Sequence, residues 1–293
     1  MLNILPAVTK IYSFPFISTL ILLLSTGCSE EQEEETTIDH FRTINIADSL
    51  DLDSGMGRVL LLPAPLQVVS ALNLYDIEYD ASLINDLKGS AGIAEEYLNA
   101  LNLGGHTIDL GYAVVNGDIQ LGLSYSQSVK NLMGELGIAS VVTSNMIKRV
   151  EANAVNQDSL SKIILEAYGA SHKFFQRNQR EGIGLLILTG CFIEGLYIAS
   201  SVKKEIDGGE LQSLLGIHKE YLNNLLLLIQ YYNEKEEVAD LIVQLAILRE
   251  EFNDVDLVVN AEEGRARLNT PMSAEKINSI RAKITEIRRN IRE

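Results

Sequence analysis

The sequence contains no tryptophan, only two cysteines and only 6% aromatic residues. Without tryptophan, and with few aromatics beside basic residues, it offers no stacking platform for single-stranded nucleic acid. Two cysteines cannot build a disulfide framework or a four-cysteine zinc site, and neither CxxC nor HExxH occurs. His40, His106, His172 and His218 stand far apart, so no metal and no cofactor are expected. The glycines at 182, 184 and 190 match neither GxxxxGK nor GxGxxG, and they fall inside a helical pattern instead of a strand-to-helix turn. A GxSxG elbow is missing too, since the nearest stretch, "LGLSYSQS", lacks the second glycine. Positive charge is scarce: 24 Lys and Arg face 40 Asp and Glu, a net charge of −16, which argues against unaided binding to nucleic acid or anionic lipid. Enzyme families with compact signatures are therefore largely excluded, and no catalytic residue is assigned.

What is present begins at the junction where "LILLLSTGC" runs into "SEEQEEETT". The apolar run Ile17–Leu24 falls short of the ~20 residues of a spanning helix and has the length of a signal-peptide core. Lys10 lies ahead of it, and the small residues Ser25, Thr26 and Gly27 precede Cys28. This order of parts resembles a bacterial lipoprotein signal, with residues 1–27 removed and the Cys28 thiol acylated. Leu24 stands one place further from the cysteine than in the usual lipobox, where Ser25 sits here. An uncleaved membrane-associated segment or an ordinary secretory peptide is the other reading. Ser29–Thr37 carries Glu30, Glu31, Glu33, Glu34 and Glu35 and no apolar residue, so it reads as a solvated, self-repelling tether. Residues 28–57 together form this tether and an irregular lead-in. The acidic run resembles the surface-export signal of Bacteroidota lipoproteins, and Ser29 after the cysteine resembles sorting to the outer membrane, on its periplasmic or cell-surface face. Loss of Lys10 with the signal brings the net charge to −17.

The rest of the chain reads as all-α, with residues 58–260 a helical domain and 271–293 a C-terminal amphipathic helix. A hydrophobic content of 46% suffices for a core. After Pro63 and Pro65, apolar residues recur at helical spacing from Leu66. Leu98, Leu101, Ile108, Ala113 and Val115 predict two helices parted near Gly104-Gly105, and Asn116-Gly117-Asp118 predicts a second break. The next helix carries Leu121, Tyr125, Val129, Leu132, Met133 and Leu136, with Gly137 as its C-terminal cap. Further helices are expected at about 143–152, 158–177, 181–204, 210–231 and 234–253, the last opened by a capping box of Asn233 and Glu236. Asp158 or Asn156 is the expected cap of the helix near 158. "GIGLLILTGCFIEGLYIASSV" is apolar on nearly every side yet too short in its uncharged part to span a bilayer. The expected architecture is therefore a compact antiparallel helical array around a central helix at about 182–204, with Cys191, Gly195 and Ala199 as a small-residue stripe. Cys191 itself reads as an inert small hydrophobe. Residues 254–270 show no clean period, and Thr270-Pro271 is the expected start of the last helix. There Ile277, Ile280, Ile284, Ile287 and Ile291 form a two-heptad seam, and Lys276, Arg281, Lys283, Arg288, Arg289 and Arg292 cover the other faces. Two heptads are short for an independent coiled coil, so the seam is expected to dock on its own domain. Self-association or a partner helix is the sharper alternative.

Three polar features stand out. Glu194 interrupts the most apolar helix and must be paired, hydrogen-bonded or protonated. It reads as a structural polar knot, satisfied by a Tyr, Asn or Arg from a neighbouring helix, and otherwise as a site. His106, Asp109 and Tyr112 recur every three residues on one helical face, where imidazole and carboxylate can meet; a surface hydrogen bond is the expected role, an acid/base dyad the alternative. "KRVEANAVNQDSL" gathers Arg149, Glu151, Asn153 and Asn156 around a helix end, where capping accounts for most of the polarity.

"LPAPLQV", "YLNALNLGGHTIDLGYA", "LGI", "KRVEANAVNQDSL" and "GCFIEGLYIAS", in this order and spacing, resemble an uncharacterised family of helical lipoproteins of the Bacteroidota over about residues 60–260. The resemblance implies a helical fold and an anchored location and supplies no site residues. The expected function is a non-enzymatic binding or scaffolding lipoprotein of the outer membrane. The alternative is a hydrolase or small-ligand sensor with a polar pocket between helices around Glu194.

Overall fold

The computed structural model describes residues 68–69, 72, 77–84, 87, 95–141, 144–152, 163, 166, 170–171, 173–202, 209–232, 238–260 and 265–292. All belong to one compact unit, Asp39–Glu293. Cys28, the acidic tether, Asn153, Asn156, Asp158 and the Asn233–Glu236 capping box lie outside them. The fold is all-α: α1 (Glu96–Val115), α2 (Ile119–Glu135), α3 (Ser144–Ala152), α4 (Glu181–Ser201), α5 (Gly209–Tyr232), α6 (Ala239–Glu250) and α7 (Ala274–Arg292), with a small antiparallel hairpin, β1 (Leu257–Asn260) and β2 (Arg265–Leu268), between the last two helices. Within 158–177 the described residues 163, 166, 170–171 and 173–177 are helical.

The central helix is α4, as its all-round apolarity predicts. It buries Leu185, Leu186, Phe192, Ile193, Leu196 and Ile198, and its most extensive interface is with α1. This contact corrects the expected break at Gly104-Gly105, because α1 runs unbroken through both glycines. Gly104 serves close approach. A Cβ on Gly104 would fall 2.0 Å from the Ile187 carbonyl oxygen, and one on Gly190 would fall 1.9 Å from that of Leu101. Each helix thus presents bare backbone to the other, and the Cys191 thiol donates to the Gly104 carbonyl at 3.4 Å. The close crossing uses Gly190 and Cys191; Gly195, a member of the expected stripe, faces Val68.

The Asn116-Gly117-Asp118 break is real and does two jobs. Gly117 adopts φ +75°, so that its amide donates to Val114 and that of Asp118 to Ala113, closing α1 with the paired bonds of a Schellman cap. The Asp118 carboxylate then accepts from the Leu121 amide and starts α2. Gly137, at φ +67°, ends α2 by the same pattern. Arg180 ties these elements together, donating to the Leu136 carbonyl at 2.8 Å and to Glu96 at 2.6 Å.

The hairpin occupies the stretch without a clean period, since strands of four residues place only two side chains on each face. Leu257 and Leu268 oppose each other and pack over Gly216 of α5, while Ser213 Oγ accepts from the Leu268 amide. The Met272 amide donates to Gln212 Oε1, holding residues 270–272 against α5. The last helix therefore starts later than expected, at Ala274, with Ser273 Oγ accepting from the Lys276 amide as its cap.

α7 docks on the chain's own core. Ile280, Ile284, Ile287 and Ile291 are buried and Ile277 partly so. At about 1.5–3 kcal/mol for each fully buried side chain, an upper bound, the four supply roughly 6–12 kcal/mol to this contact. The seam considered for self-association is thus covered from within. α7 runs antiparallel to α4: Arg281 donates to the Ser200 carbonyl near one end, and Arg288 meets Glu194 further along.

Candidate functional site

Glu194 sits on the buried side of α4, 2% exposed. Its carboxylate is gripped at both oxygens by the Arg288 guanidinium, Nε to Oε2 at 2.7 Å and Nη2 to Oε1 at 2.5 Å. The same Nη2 donates to the Leu83 carbonyl at 2.8 Å, and the guanidinium lies 3.8 Å over the Tyr197 ring. A planar fork matched to a carboxylate and stacked on an aromatic face is an arrangement that arginine makes and lysine does not. Burial opposes the Arg288 charge, but the hydrogen bonds and field of Glu194 overcome this and keep the guanidinium above its ordinary range. Arg292, one turn on, approaches Glu194 at 3.7 Å. Burial and the neighbouring Arg288 push its pKa down.

The three residues at spacing three on α1 point inward, which corrects the expected surface role. His106 is 1%, Asp109 0% and Tyr112 2% exposed. α1 is covered on this face by α2, α4, α7 and residues 77–84, so spacing that looks like an exposed stripe in sequence is core in the fold. His106 Nδ1 lies 2.8 Å from Ser128 Oγ on α2, and its ring stands edge-on to Tyr125 at 5.6 Å. Desolvation, helped by the Arg292 charge, lowers its pKa to about 4, so the imidazole is neutral at pH 7. The Tyr112 hydroxyl accepts from the Asp80 amide at 3.1 Å, and its ring packs on Tyr79 at 5.0 Å. Tyr79 donates in turn to Asp118. The Asp109 charge acts on both Arg288 and Arg292. Asp109, Glu194, Arg288 and Arg292 thus share the core where α1, α4 and α7 meet.

A second buried histidine, His218 on α5, donates from Nδ1 to the Leu214 carbonyl at 2.7 Å and is flanked by Phe192 and Tyr221. Burial lowers its pKa to about 4. Burial also pushes the Cys191 thiol up to about 12, where it is no nucleophile. Among the described residues no three His, Cys, Asp or Glu side chains gather in a metal-binding group. Arg149 pairs with Glu166 at the exposed end of α3.

In the sequence Glu194 points to this cluster with an arginine among its expected partners, but the pattern groups Arg288 and Arg292 with the other cations on the remaining faces of α7. A signal was available. Each follows a seam isoleucine, Ile287 or Ile291, by one residue, and the two arginines are four apart, so they share one edge of the buried stripe. Ser128 and Tyr197 carried no such signal. No protein-family model, no curated protein and no solved structure matches this chain.

Proposed function

We propose that this chain is a lipoprotein anchored to the outer membrane through acyl chains on Cys28, whose helical body binds or scaffolds other molecules without turning over a substrate. The location rests on the sequence junction at Cys28, and on the family resemblance over residues 60–260. One acyl chain gives only marginal attachment, so the anchor requires two or more; the three chains of bacterial lipoproteins meet that requirement. The glutamates that follow keep a soluble body off the bilayer.

The observation that carries the non-enzymatic reading is the bidentate grip of Arg288 on Glu194. A hydrolase or ligand sensor built on Glu194 needs this carboxylate to reach its ligand, yet both oxygens accept from one guanidinium in a sealed environment. His106 is a weak base, because desolvation disfavours its charged form. These groups have the character of joints between helices.

The test uses cells expressing the wild type and Cys28→Ala, fed an alkynyl palmitate. Label on the wild type, its loss in the variant and transfer of the variant from the membrane to the soluble fraction are expected. A Cys28→Ala chain that stays labelled and membrane-bound would refute the anchor.

A further inference from the structure

Six large hydrophobic side chains stand exposed among the described residues, and three of them lie on the α5–α6 pair: Leu227 at 54%, Val243 at 57% and Ile247 at 43%. α6 is apolar on two opposite sides. Leu241, Leu245 and Leu248 face the core. Asp240, Val243, Ile247 and Glu250, all exposed, recur at steps of three, four and three on the other side. On α5, exposed Glu220 lies two turns before Leu227 and shares its face. The outward surface of α6 thus reads acid, apolar, apolar, acid, and α5, which packs against α6, carries an acid and an apolar residue on its own exposed face. Its one basic residue, Arg249, lies off this stripe. A second apolar face on a helix whose first is already committed marks an interaction surface.

The charges decide among occupants. A second copy laid antiparallel across Val243 and Ile247 sets Asp240 of each chain against Glu250 of the other, and a parallel copy sets each acid against itself. Like charges in such places repel, on chains that already carry −16. A helix with basic flanks meets the reverse situation.

We propose that the outward face of α5 and α6 docks a cationic amphipathic helix from a partner protein. Its apolar stripe covers Leu227, Val243 and Ile247, and its lysines or arginines meet Glu220, Asp240 and Glu250. The apolar contact supplies most of the affinity, and the acidic rim supplies orientation and association rate. This rests on the binding reading of the body and is independent of the anchor.

The probe is a fluorescent synthetic helix of leucines at heptad seam positions and lysines elsewhere, alongside the same peptide with glutamate for lysine. Each is titrated with the Cys28→Ala full chain and followed by anisotropy. The lysine peptide is expected to bind and the glutamate peptide to fail. Val243→Ser/Ile247→Ser and Asp240→Lys/Glu250→Lys are each expected to weaken binding at least about tenfold, while Glu135→Lys on α2 leaves it unchanged. All the substituted positions are exposed, so circular dichroism should show intact folding. Equal binding of both peptides, or unchanged affinity after Val243→Ser/Ile247→Ser, overturns the proposal. So does a dimer in sedimentation that those serines abolish, since it gives the face to a second copy. Lipidation is read separately, so failure here and failure of the anchor are distinguishable.

Discussion

Replacing Arg288 with methionine should be among the most damaging single changes to this protein. Methionine keeps an unbranched apolar stem and deletes the guanidinium, which removes both bonds to Glu194, the bond to the Leu83 carbonyl and the stacking on Tyr197. The remaining cation, Arg292, stands 3.7 Å from the carboxylate, beyond hydrogen-bond reach. Breaking a buried pair on one side costs about 3–5 kcal/mol, because the surviving charge has lost both water and partner. At ~2–4 °C per kcal/mol for domains of roughly this size, the melting temperature falls by roughly 6–20 °C. Glu194→Met/Arg288→Met removes both charges and leaves the Leu83 carbonyl as the chief loss, about 1–3 kcal/mol, offset by better apolar packing. The double variant should therefore be more stable than Arg288→Met alone. Urea unfolding followed by far-UV circular dichroism gives all four corners of the cycle. The reasoning fails if Arg288→Met loses less than about 1 kcal/mol, or if the double variant loses the sum of the two singles.

The glycine crossing predicts a contrast. Gly190→Ala should destabilise by about 2 kcal/mol or more despite the ~1 kcal/mol gain in helix propensity, because its Cβ would collide with the Leu101 carbonyl. Gly134→Ala, with nothing within 4 Å of the added atom, should be neutral or stabilising by up to ~1 kcal/mol in the same thermal melts. Both buried histidines hold a folded pKa near 4 against an ordinary 6.5, so the unfolded chain takes up protons first as pH falls. Their contribution is fully present above about pH 6.5 and is lost progressively down to about pH 4, at most roughly 3 kcal/mol for each. His218→Phe should flatten that slope in urea midpoints measured across pH, and an unchanged slope would contradict it. In a Cys28→Ala chain, Cys191 should resist iodoacetamide until urea reaches the unfolding transition; full alkylation of the native protein would show that the thiol is accessible.

Periodicity and turn chemistry were legible from the residues alone. Apolar spacing located the main helices, and Gly117 and Gly137 stood where left-handed backbone was needed. The all-round apolarity of residues 182–200 identified the helix at the centre. Local pattern could not show why Gly104 sits in α1, because a glycine that breaks a helix and one that admits a neighbour look alike until the neighbour, the helix carrying Gly190, is in place. Separation along the chain also hid the role of Arg288: spacing shows a cation on a helix, and only the fold brings it to Glu194. The hairpin was too short for its alternation to stand out from loop. His106, Asp109 and Tyr112 were grouped on the correct face, and what lay over that face was a tertiary fact.

The grip of Arg288 on Glu194 also sets an order of events in the life of the chain. The heart of the bundle emerges from the ribosome 94 residues before the arginine that neutralises it, so an N-terminal portion ending short of α7 holds an uncompensated acid in its most greasy helix. Such a portion resists premature closure. Closure of the core therefore waits for α7.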